Sequence, residues 1–367
     1  MRCVFRGFLK GRLRRILQNM WGIAMRRLLN TLYIFTEDAY LTLNGENVVA
    51  KREGVEIGRI PLHTLEGIHS FSYAGASPAL MGACATRGIS LSFYDRKGRF
   101  LADVGGSVRG NVLLRRAQYE MSADEARSVL IARNFIVGKL CNSKWVLERA
   151  CRDHSLRVDS EALKRSSRRL SESVVCAKQC DSIDSLRGIE GDAAAAYFSV
   201  FDELILRDKD FFSFKGRARR PPTDAVNSML SFFYSILARD CASALEGVGL
   251  DSYIGFLHCD RPGRRSLALD CMEELRPVFV DRFVLTAINN RIVGPGDFRC
   301  RETGEVILCD AGRRALLEFW QAKKRDVIVH PFLKEKVPRG LVPLLQARLL
   351  TKCLRGDLDG YPPFLWK

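Results

Sequence analysis

The spacing of apolar and polar positions changes character near residue 110. From Thr31 to about Asp103, short β-branched and apolar runs alternate with polar residues, as in TLYIFT, AYLTLNGENVVAKREGVEIGRIPL and ISLSFYDRKGRFLADV. A period of two is that of half-buried strands. Asn44-Gly45, Glu53-Gly54 and Lys97-Gly98 stand where hairpin turns should fall. Residues 77–88 predict one short helix among these strands, with Ser77 as cap and Pro78 in its first turn. Gly105, Gly106 and Gly110 then make a joint.

From Val112 onward the apolar spacing is helical. The stretches LLRRAQYEM and ADEARSVLIARNFIVGKLCNSKWVLERA come first, followed by a polar region to Ser185. Residues 189–206 and 223–248 predict strong helices, the latter capped by Thr223 or Asp224. Residues 266–290 predict a helix that Pro277 kinks or divides, and 311–355 more helix around a Pro-rich break. The expected fold class is α+β and multidomain. A small, mainly-β N-terminal domain (residues 25–110) is followed by a larger all-α C-terminal domain (residues 111–367).

Charge adds a partner to this picture. The 367 residues carry 58 Lys and Arg against 42 Asp and Glu, a net charge of +16 that suits a polyanion, nucleic acid first. Residues 1–24 hold six basic side chains and no acidic one. They read either as a membrane-surface helix or transit peptide, or as an upstream start or tail outside the fold, and the second reading is the expectation here. The other ten surplus charges lie on residues 25–367. No apolar run reaches 18 residues, which argues against a bilayer-spanning helix. Twelve cysteines are scattered without a C-x-x-C pair, so reduced thiols and a cytoplasmic location are expected, and no zinc ribbon.

Candidate chemistry concentrates in residues 188–274. Glu190 lies between Gly188 and Gly191 ahead of four alanines. It is either an acid in a closely packed groove or one stabilised at a helix N-terminus. His258 ends the run YIGFLH, as a structural histidine or as a ligand. On the helix that Ser266 can cap, Asp270 shares a face with Glu273 or Glu274. Glu274 itself reads as part of a solvated acidic stripe. An imidazole with two or three carboxylates suits Mn2+ or Mg2+. Lys215, Arg217, Arg219 and Arg220 form one basic loop and Arg261, Arg264 and Arg265 another, each fit to hold phosphates. These features alone describe a basic, metal-dependent enzyme of nucleic acids.

The blocks GIEGDAAAAYF, RARRPPTDAVNSMLSFFYSIL and GLDSYIGFLHCDRPGRRSLALDCMEELRP together resemble the CRISPR-associated endonuclease-integrase of prokaryotic spacer acquisition. The likeness is greatest to its subtype I-C branch and spans about residues 25–365. The resemblance implies a β domain for dimerisation and partner contacts, joined to a helical catalytic domain. It implies Glu190, His258 and Glu273 as catalytic metal ligands, with Asp270 as second choice for the third place, and Asn227 and Tyr234 lining the site. It also implies a homodimer that joins a small ferredoxin-like adaptation subunit in a heterohexamer on double-stranded DNA. The implied reaction is attack by the 3′-hydroxyl of a foreign fragment on a phosphodiester at a repeat edge; water in its place gives nuclease activity. The rivals are a structure-specific repair nuclease for branched DNA, a non-catalytic DNA-binding scaffold and a domesticated transposon integrase.

Overall fold

The computed structural model describes residues 31–366 apart from 35, 37, 66, 95–99, 105–111 and 219–220. The basic segment 1–24, the Lys97-Gly98 turn, the glycine joint, Arg219 and Arg220 lie outside the described residues. The chain has a β-rich N-terminal domain followed by a helical C-terminal domain, as the apolar periods require.

The first of two compact units contains the described residues up to 104, together with 324–340. Strands β1 (Thr31–Ile34), β5 (Gly67–Ser70), β6 (Ser90–Tyr94) and β7 (Phe100–Val104) form one sheet in the order β1-β5-β6-β7. Its first two pairings are parallel and its last antiparallel. Strands β2 (Tyr40–Asn44), β3 (Asn47–Arg52) and β4 (Val55–Pro61) form an antiparallel meander. Glu53 and Gly54 both take left-handed backbone angles, φ 50° and 82°, as a tight primed turn demands. Helix α1 (Pro78–Arg87) starts where Ser77 accepts a hydrogen bond from Leu80 N and stops at Gly88 with φ 67°. Its Leu80 and Cys84 join Leu41, Val48, Ile68 and Leu91 in the core of this unit.

Residues 324–340 were expected within a helical run, yet they contain the hairpin β10 (Val327–Val329) with β11 (Lys336–Pro338). Three successive β-branched residues and the following Pro331 favour extended backbone there.

The second unit holds α2 (Val112–Ala123), α3 (Glu125–Asp153), α4 (Ser160–Gln179), α5 (Ile183–Phe198), α6 (Ala225–Gly247), α7 (Ser266–Glu273), α8 (Arg282–Asn289), most of α9 (Asp310–Arg325) and α10 (Val342–Leu354). A short hairpin, β8 (Phe298–Cys300) with β9 (Val306–Leu308), interrupts the helices. Helix α3 is the spine, with α4 and α5 packed along it. Pro277 divides the 266–290 stretch as expected, through a π-helical turn over Arg276–Asp281 between α7 and α8. Among the described residues no helix is long and apolar enough to cross a membrane.

Candidate active site

Glu190 sits in the middle of α5, because that helix, capped by Ser182, starts six residues earlier than the apolar run suggested. It is therefore not an N-terminal acid. Nor do Gly188 and Gly191 admit a close neighbour, since a Cβ at either would meet nothing within 4 Å. The buried small residues are Ala193 and Ala196, one and two turns further on.

Lys139 of α3, which nothing in the sequence singled out, stands between the acids. Its ammonium bonds Glu190 Oε1 and lies 2.7 Å from Glu273 Oε2. Arg276, the first residue of the π-turn, reaches Glu273 Oε1 at 3.0 Å. Burial alone would raise the Glu273 pKa. Arg276, Lys139 and His258 outweigh that and hold it down at about 2. Glu273 is thus an anion fixed among three cationic or ionisable neighbours. Its Oε2 has the ammonium's charge beside it but no well-directed hydrogen bond.

His258 is placed by Asp270, which is fully buried. One oxygen of Asp270 accepts from Phe256 N (2.6 Å) and Leu257 N (3.0 Å), the other from His258 N (3.0 Å). The second oxygen also lies 2.5 Å from His258 Nδ1. A carboxylate so placed takes the Nδ1 hydrogen and leaves the Nε2 lone pair for a ligand. Four donors occupy both of its oxygens, so Asp270 orients the histidine and has no oxygen to spare.

Glu274 corrects the expectation of a solvated stripe. It is wholly buried and accepts hydrogen bonds from Tyr361 OH, Gln346 Nε2 and Phe364 N. The helix presents Glu273 and Glu274 to different buried surroundings, which a count of spacings does not reveal.

On the far side of the cleft, the Tyr234 hydroxyl donates to Asp281 Oδ1 at 2.5 Å. The guanidinium groups of Arg217 and Arg276 both lie over the Tyr234 ring, 5.3 and 5.0 Å from its centroid. Asn227 is buried and serves the basic loop: its Oδ1 accepts from Arg217 Nη1 and Ala218 N, and its Nδ2 donates to Gly216 O. Its partner Arg217, not Asn227 itself, lines the cleft. Lys215 and Arg261 are exposed and Arg264 half-buried, whereas Arg265 pairs with Glu246 at 3.1 Å and covers Tyr253.

The cleft shared by Lys139, Glu190, Tyr234 and Arg276 has a cavity volume of about 30 Å³, room for water or a small ion. Two carboxylates and an imidazole are suitable donors for Mg2+ or Mn2+. As they stand, no three His, Cys, Asp or Glu side chains among the described residues are grouped to hold a metal ion. The two carboxylates are instead joined by the Lys139 ammonium, which pairs with both.

A β-rich domain followed by a helical one is also the architecture of a casposase bound to integration product. The TM-score is 0.79 at 22% identity, over 92% of this chain and 93% of that one. A Cas1 protein from Thermotoga maritima gives 0.76 at 23% identity, over 89% of this chain and 97% of that one. These likenesses define the fold class. The chain belongs to the Cas1 family of CRISPR-associated endonucleases: the family model for CRISPR associated protein Cas1 matches residues 32–322. It is 49% identical to a CRISPR-associated endonuclease Cas1 of Rhodospirillum rubrum and 46% identical to one of Chlorobaculum tepidum. Each alignment covers 94% of this chain and all of the relative.

Proposed function

We propose that this protein is the integrase of spacer acquisition in a prokaryotic cytoplasm, joining short foreign DNA fragments to the edge of a CRISPR repeat. The observation that carries the reading is the convergence of Glu190 and Glu273 on one cation, with His258, whose charge acts on Glu273, oriented by Asp270. The subtype I-C assignment rests on the three sequence blocks.

The reaction makes one phosphodiester bond for each it breaks, so no nucleotide cofactor need drive it. The fragment's 3′-oxygen bonds to phosphorus and loses its proton, while the repeat strand's 3′-oxygen leaves and gains one. Glu190, Glu273 and His258 Nε2 would hold Mg2+ or Mn2+, which lowers the pKa of the attacking hydroxyl and offsets charge on phosphorus. Asp270 keeps His258 in the ligand-ready tautomer. Arg276 keeps a buried Nε–H without an acceptor, suited to a phosphate oxygen. Next to the cleft, a groove of about 550 Å³ with Phe198 and Phe214 on its wall and Lys215 and Arg217 beside them fits a DNA end. Solved complexes titled Cas6-RT-Cas1–Cas2 share the fold, and we assign this chain, as a homodimer, a small ferredoxin-like subunit of that kind in a heterohexamer.

The test is strand transfer of a labelled 3′-hydroxyl duplex into a supercoiled plasmid bearing the repeat, with the small partner and Mn2+ or Mg2+. Wild type should give product that chelator abolishes. Glu190→Ala, His258→Ala and Glu273→Ala should each lose about 10²-fold or more. Equal product from Glu190→Ala would overturn the reading. Cutting of branched DNA without any strand transfer would point to a repair nuclease.

A further inference from the structure

The peptide unit joining Leu257 to His258 is held at both ends by charged side chains. Its N–H donates to Asp270 Oδ1 at 3.0 Å. Its carbonyl oxygen accepts from Arg187 twice, from Nε at 3.1 Å and from Nη2 at 2.5 Å. The same Nη2 reaches Cys259 Sγ at 3.0 Å, and Nη1 is braced by Asp184 Oδ1 at 2.7 Å on its own helix. Arg187 therefore holds the backbone carbonyl just before His258 and touches the Cys259 side chain just after it.

The two holders occupy matching positions. Arg187 stands three residues before Glu190 on α5, and Asp270 three residues before Glu273 on α7. In a helix that spacing puts both members of a pair on one side, a turn apart. A peptide is a rigid plane. Fixed at its oxygen from the Glu190 helix and at its nitrogen from the Glu273 helix, it sets where His258 stands relative to both acids.

We propose that Arg187 is a positioning residue, the tie that fixes the distance between His258 and Glu190. The inference rests on the reading of Glu190, His258 and Glu273 as one working site. Asp270 alone sets the tautomer and ties the histidine to Glu273. Without Arg187 the loop keeps that tie and loses the one to Glu190. A planar guanidinium donating twice to one carbonyl cannot be copied by an ammonium, which supplies a point charge and one short bond. A displacement of about 1 Å at a reacting group costs on the order of 10²-fold in rate.

The experiment uses the full chain with its small partner, measuring strand-transfer kinetics against DNA concentration for wild type, Arg187→Ala and Arg187→Lys. Arg187→Ala should lose about 10²-fold in kcat with KM for DNA within about twofold of wild type, and Arg187→Lys should recover about tenfold of that loss. A second readout is calorimetric titration of Mn2+ into the DNA-free protein, which should be about tenfold weaker in Arg187→Ala. Its melting temperature in chelator should stay within a few degrees of wild type, because the arginine side chain is 37% exposed and its loss removes only local hydrogen bonds. A raised KM with kcat retained would make Arg187 a DNA contact and overturn the proposal. So would unchanged kinetics, or a melting temperature lowered beyond that with no rescue by Arg187→Lys. Glu190→Ala and His258→Ala run alongside: if they are inactive while Arg187→Ala is normal, only this inference falls. If they are active, the reading of the site falls, and this inference with it.

Discussion

Glu273 and Glu274 are sequence neighbours with opposite electrostatics. Cations surround Glu273, whose pKa lies at about 2, while Glu274 meets only neutral donors, and burial lifts it to about 7. Asp281 behaves like Glu274: burial outweighs the Tyr234 hydrogen bond, the nearby Tyr197 hydroxyl and its arginine neighbours, and its pKa rises from 3.8 to about 6. A carboxyl group with a raised folded pKa binds its proton more tightly when folded. Its stabilising contribution is complete below the unfolded pKa and is lost as pH climbs to the folded value. For Asp281 the window is 3.8 to about 6, and the full loss is roughly 3 kcal/mol. Glu273 has the opposite sign between about 2 and 4.5, so the comparison belongs above that range. Urea midpoints from pH 4.5 to 7 should fall more steeply for wild type than for Asp281→Asn. Parallel curves would mean that Asp281 stays ionised in the fold. Spacing alone put Asp270, Glu273 and Glu274 on one helix, but which acid faces cations, which a backbone loop and which a tyrosine depends on elements far apart in sequence.

Helix α3 shows what local pattern leaves out at the next scale. Lys139 contacts both acids, Asn142 Nδ2 donates to Glu274 O and Phe364 O, and Gly138 lies against Glu274. A Cβ on Gly138 would stand 2.7 Å from Glu274 Cβ and 3.1 Å from Pro363 Cβ. Gly138→Ala should therefore destabilise by about 1–3 kcal/mol, although alanine is the better helix former. A rise in denaturation midpoint would show that α3 and α7 part easily. Long apolar helices such as α3 and α6 were legible, as were the caps at Ser77 and Asp224. Helix α4 was not, because only Leu163, Leu170 and Ala177 supply its buried apolar face and serines fill the rest. The π-turn was legible only as a break at Pro277. That its first residue returns to Glu273 and its last to Tyr234 follows from the packing of α7 and α8.

Across the whole chain, the surplus of basic residues divides into side chains already engaged and side chains open to solvent. Arg217, Arg265 and Arg276 are tied to Asn227, Glu246 and Glu273, while Lys215 and Arg261 are exposed. Net charge points to a polyanion; it could not sort these two groups, because pairing depends on residues brought together only by folding. In fluorescence titrations of duplex DNA, Lys215→Ala and Arg261→Ala should each flatten the plot of log K against log salt by about one unit. Arg265→Ala should change it less, and an unchanged slope for Lys215→Ala would take that loop off the DNA path. The two-domain order of strands then helices was plain from the change of period at residue 110. The late hairpin returning to the first unit was not. The carboxylate beside Glu273 is bolted in place by Phe364, which leaves the ribosome 90 residues after Glu274, and Asn142 waits for the same segment. Synthesis therefore delivers Glu190, His258 and Glu273 well before the segment that backs Glu274, so the site proposed above sets only once Phe364 has been made.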